Sequence, residues 1–85
     1  MTCAQEATFQ MKRAIAQTNC LNTCGLMIRR ASKGSKLIWR NYLTGEEAII
    51  AIVSTTDDLM AAATAALRVV KTAREKESRD TQEAA

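Results

Sequence analysis

The 85-residue chain contains no histidine, which removes the commonest general base near neutral pH and the commonest metal ligand. Its adjacent carboxylates, Asp57 and Asp58, would project about 100° apart on a helix, so they do not face each other as an acid and base pair. Cys20 and Cys24 stand four residues apart, a spacing that sets two thiolates on one helical face. A structural zinc takes four ligands, however, and Cys3 would lie about five helical turns away. The same helical spacing is poor for a disulfide, so the cysteines read as small buried apolar residues. Nothing matches the spacing of a P-loop or of G-x-G-x-x-G. No catalytic residue, metal site or cofactor is expected, and the chain reads as non-enzymatic.

One cluster has chemistry to offer. Arg29, Arg30, Lys33, Lys36 and Arg40 surround Gly34, with Ser32 and Ser35 between them and Trp39 and Tyr42 close by. Cations without an intervening acid, hydroxyls, a flexible glycine and aromatic faces are what phosphate binding or base stacking requires. The same cations would also complement the negative end of a preceding helix in a solvated turn. Net charge is only +3, too small by itself to demand a nucleic acid, but it is unevenly spread. Residues 29–43 carry +5 and residues 44–60 carry −4.

The elements that would position this cluster are read as helices. Between Thr44 and Glu77, the residues Ile49, Ile52, Thr56, Leu59, Ala63, Ala66, Val70 and Ala73 recur at intervals of three and four, the spacing of a seam on one helix. Val53, Met60 and Leu67 widen that stripe, and Thr44 with Glu47 matches a capping box at its start. Upstream, Thr2 with Gln5 forms another such box, and Ala4, Ala7, Met11, Ala14, Thr18, Leu21, Gly25 and Ile28 repeat the spacing. A first helix is therefore expected from Cys3 to about Arg30, with a possible break at Gly25. Ala31–Ser35 would be the connection, Gly34 supplying positive φ. Lys36–Leu43 fits a short helix or a short strand, and helix is favoured because no second strand is evident to pair with it.

The resulting expectation is an all-α fold: an antiparallel helical hairpin with a short connecting helix, one domain over residues 1–78, and a frayed tail over 79–85. A chain of this size builds only a marginal core alone. Assembly into an oligomeric helical bundle is therefore expected, through Ile49, Ile52, Val53, Thr56, Leu59, Met60, Ala63, Ala66, Leu67 and Val70. The odd cysteine count, with no apolar leader and no run long enough to span a bilayer, points to a reduced cytoplasmic setting. The functional expectation is a small oligomeric binding or regulatory protein, recognising its partner through Arg29, Arg30, Lys33, Lys36, Trp39, Arg40 and Tyr42. An acidic protein is one candidate for that partner. The alternatives are a nucleic acid, or a nucleotide or other phosphorylated ligand held between protomers.

Overall fold

A computed structural model describes residues 2–18 and 21–84, with side chains through residue 78. The elements run α1 (Cys3–Thr18), β1 (Cys24–Ala31), β2 (Gly34–Asn41), β3 (Glu47–Val53) and α2 (Thr56–Ala84). The strands form one antiparallel sheet in the order β1-β2-β3, so the fold is α+β. The expected all-α hairpin and helical bundle are not formed. Only the outer parts of the two expected helices are helical, and the middle of the chain is sheet.

The physical reason lies in the side chains. Ala48–Val53 is apolar throughout and holds Ile49, Ile50, Ile52 and Val53. Such a dense run satisfies a three-four spacing by default, while its β-branched residues favour an extended backbone. Leu26, Met27 and Ile28 likewise extend a strand instead of prolonging a helix.

The expected cap of the first helix is present: the Thr2 N–H donates to Gln5 Oε1 at 3.0 Å, and the Gln5 N–H donates to Thr2 Oγ1 at 3.1 Å. The second expected cap is not, because Thr44 lies in the β2–β3 turn and accepts from the Glu46 N–H at 3.2 Å. In that turn Asn41 Oδ1 accepts from the N–H groups of Leu43 and Thr44, and the Asn41 carbonyl accepts from the Gly45 N–H. The long helix starts about a dozen residues later, at Thr55, whose Oγ1 accepts from the Asp58 N–H at 3.1 Å. Asp57 and Asp58 then sit in its first turn, where the helix end is positive.

Both helices pack on one face of the sheet. Alternation along the strands sends Leu37, Trp39, Ala51 and Val53 to that face, and a bulge in β3 opposite Leu37 and Ile38 lets Ile50 join them. Ala7, Met11 and Ala14 of α1 and Ala62, Ala66 and Val70 of α2 close the core from above. Trp39 is its largest member at 2% exposure. The helices pack against each other, with α1 also on β3 and α2 on β3 and β2. Neither covers β1 extensively. The loop after α1 is tied to α2 by Arg74, whose guanidinium lies 3.4 Å from the Leu21 carbonyl and 3.5 Å from that of Cys24.

Gly34 begins β2 at φ 152°, and a Cβ there would collide with the Val53 carbonyl oxygen of β3. Gly45 has φ 79° with open space around it. Gly34→Ala should therefore lose about 2–4 kcal/mol of stability, combining backbone strain with overlap. Gly45→Ala should lose only about 1 kcal/mol. Denaturant melts followed by the emission of the single buried tryptophan would measure both; equal losses would contradict the close approach at Gly34.

Candidate functional site

The basic residues expected in a turn between helices lie instead on a β-hairpin. Arg29 and Arg30 end β1, Lys33 is in the Ser32–Lys33 turn, and Lys36 and Arg40 belong to β2. The alternation of a strand sends consecutive residues to opposite faces, so the cluster is divided. Register places three rows across the face that the helices leave open: Arg29, Lys36 and Ile52; then Met27, Ile38 and Ile49; then Gly25, Arg40 and Glu47. Arg30 points to the helix side, in the row of Ser35 and Val53.

Trp39 is also on the helix side, buried in the core, so it is not available for recognition. Tyr42 is exposed, and its ring lies against Gly25, where an added Cβ would meet the hydroxyl.

The centre of the open face is bridged by charge. Glu47 accepts two hydrogen bonds from Arg29, at 3.0 and 2.8 Å, in a bidentate fork, and one from Arg40 at 3.2 Å. Arg29 and Glu47 occupy opposite corners of the three rows, so their bridge crosses the middle position, Ile38. That crossing accounts for the 2% exposure of Ile38 on a face with no helix over it. Two cations share one carboxylate, which leaves the group net positive, and Lys36 adds to it. The side chains remain 48%, 39% and 26% exposed for Arg29, Arg40 and Glu47, so solvent screens the bridge substantially.

Hydrogen bonds from Arg29 are the main reason the Glu47 carboxyl titrates below its ordinary value, with the charges of Arg29 and Arg40 adding to the effect against partial desolvation. The Arg29 guanidinium is pushed upward by the same contact.

Two concavities lie elsewhere on the described surface. A polar cleft of about 290 Å³ at the hairpin tip is lined by Arg30, Ala31, Gly34, Ser35, Ser54, Thr55, Thr56 and Leu59. A wider open groove of about 800 Å³ runs between α1 and α2, with Ala4, Ile15, Ala65, Val69 and Ala73 inside and Lys12, Arg68 and Lys76 around it. Neither is lined by a carboxylate or a thiol. Among the described residues no group of three metal-ligating side chains occurs.

The residues expected at an oligomer interface are dispersed. Val53, Ala66 and Val70 are buried in the core, and Leu59 and Ala63 pack against it. Ile49 and Ile52 are exposed on the open sheet face, Met60 and Leu67 on the outside of α2, and Thr56 is exposed at its start. They do not form the single stripe that one continuous helix would have made.

Cys24 opens β1 and is disulfide-bonded, whereas Cys3 is free. The helical spacing that argued against a disulfide does not apply to a strand residue; Cys20 lies outside the described residues. A disulfide also removes the thiol count as an argument for a reduced compartment. Among the described residues no helix is long and apolar enough to cross a membrane.

Glu47 is not among the residues expected at the site, because its spacing from Thr44 also fits a helix cap. The signal available was charge: an acid six positions into a segment following a strand of cations, facing them once the strands pair. Neither a protein-family model, nor a curated protein, nor a solved structure matches the chain.

The bridge has a titration signature. Because the folded Glu47 carboxyl lies below its unfolded value, its contribution to stability is present above the usual carboxylate range and is lost as pH falls through the lower, folded value. Replacing Arg29 by Ala should shift the Glu47 carboxyl resonance midpoint upward in an NMR titration. An unmoved midpoint would show that Arg29 does not hold it.

Proposed function

We propose that the protein is a non-enzymatic binding module whose basic hairpin engages an acidic segment of a protein partner. The observation that carries this reading is the composition of the helix-free sheet face: Arg29, Lys36 and Arg40 frame Met27, Ile38, Ile49 and Ile52, with a single carboxylate among them. Arginine, methionine and tyrosine around exposed aliphatics are the enriched residues of protein interfaces. Ile52 at 67% exposure and Ile49 at 51% offer apolar area, while the excess cations favour a partner of opposite sign and speed its encounter.

Nucleic acid is the less supported partner. Sequence-tolerant binding of bases needs aromatic platforms, and with Trp39 in the core only Tyr42 is left near the cations. A small phosphorylated ligand would find its best fit in the polar cleft by Arg30 and Ser35, where the adjacent start of α2 carries Asp57 and Asp58 against it.

Titration of the chain with a Glu-rich polypeptide and with single-stranded DNA, each across a range of salt, tests the assignment. The polypeptide should bind, weakening as salt rises, and the double substitution Lys36→Glu with Arg40→Glu should weaken it by about tenfold or more. Absence of binding at low salt, or indifference to charge reversal, would refute the proposal. Tighter binding to DNA, with a log-linear loss of affinity in salt, would transfer the function to nucleic acid.

A further inference from the structure

We infer that the acidic segment is taken up as a fourth strand along the free edge of β1, with its carboxylates on the side of the open basic face; this rests on the acidic-partner reading above and specifies its geometry. β1 is an end strand, paired with β2 alone. Its pairing has a definite sense. The Tyr42 N–H donates to the Thr23 carbonyl at 2.9 Å, and this contact continues the β1–β2 register, in which Cys24 faces Asn41. In an antiparallel ladder, alternate residues exchange hydrogen bonds with a given neighbour. The odd-numbered residues Gly25, Met27, Arg29 and Ala31 are thus the ones bonded to β2. Leu26, Ile28 and Arg30 turn their N–H and C=O groups to the outer edge.

Three further features favour a strand there. The edge lacks several of the usual protections, its only charges being Arg29 and Arg30: β1 has no proline, its pairing with β2 is continuous without a bulge, and neither helix packs extensively over it. Ile28, on the helix side of the sheet, is 56% exposed because α1 and α2 sit over β2 and β3. The middle of the open face, by contrast, is already occupied by the bridge from Arg29 to Glu47.

Charge decides between occupants. A second copy of β1 would bring two unpaired Arg30 side chains to one seam, with no acid on either strand and each Arg29 already paired with Glu47. An acidic segment would meet those charges with opposite sign. Alternation then specifies its pattern: apolar residues on the helix side, beside Ile28 and Leu26, and carboxylates on the open side, beside Arg29.

The probe is a short capped peptide alternating Val and Glu, added to the full chain while amide exchange is followed by NMR. Exchange should slow by about tenfold or more at Leu26, Ile28 and Arg30, and little at Met27 and Arg29, which already bond to β2. The same peptide N-methylated on every second residue along the pairing edge should bind at least about tenfold more weakly, since its donors are gone while its charge remains. Ile28→Pro should weaken the unmodified peptide similarly, because only an outward N–H is lost. Binding without protection at those three amides, or equal binding of the methylated peptide, would overturn strand addition and leave the acidic-partner reading standing. No binding of either peptide would overturn both. Protection of the same amides on raising the concentration of the chain alone would make a second copy the occupant and overturn the inference.

Discussion

One-sided coverage of a small sheet is the constraint on which the rest of the structure depends. Two helices can bury only one face of three strands, and here they do so through small residues, with Ala7 and Ala14 on α1 and Ala62 and Ala66 on α2 in one core with Met11 and Val70. Small side chains permit close approach, which draws both helices together over β2 and β3. Larger residues at those alanines would spread the helices toward β1. As built, the tight seam seats Trp39 and leaves β1 uncovered, and what the surface can do follows from that omission.

The uncovered face is kept from being a plain apolar patch by charge. Met27, Ile38, Ile49 and Ile52 would form a continuous aliphatic stripe across the strands, an aggregation hazard on an open sheet. The Arg29–Glu47 fork, supported by Arg40, crosses the stripe and shields Ile38. The bridge is exposed enough to contribute little to stability. Its consequence is positional: it holds two cations over the sheet and leaves Lys36, Arg30 and Lys33 unneutralised around the hairpin.

Local chemistry was legible in the sequence, and the long-range pairing was not. The Thr2–Gln5 cap, the start of the first helix at Cys3, its buried positions Ala7, Met11 and Ala14, and the positive φ of Gly34 all follow from properties of a few neighbouring residues. Strand formation depends on partners far away in the chain. Each of the three strands looks unsupported when the other two are read as helix, although Ala48–Val53 carries the β-branched residues of a strand and Ser32–Lys33 sits where a hairpin turns. The Thr44–Glu47 pattern then lent a false start to the long helix, since a Thr followed by a Glu three residues on also suits a β-turn leading into a strand. At the candidate site, the residue types were legible and their grouping was not. A turn would present every cation to solvent together, whereas a strand alternates them and consigns Trp39 to the core.

The central claim is that β1 is an edge strand whose hydrogen-bonding groups at Leu26, Ile28 and Arg30 face outward, and residue-resolved amide exchange on the chain alone tests it most directly. Met27 and Arg29 should be protected, and Leu26, Ile28 and Arg30 should exchange quickly, in strict alternation along the strand. Continuous protection from Cys24 to Ala31, as a helix or a strand covered on both edges would give, would contradict it.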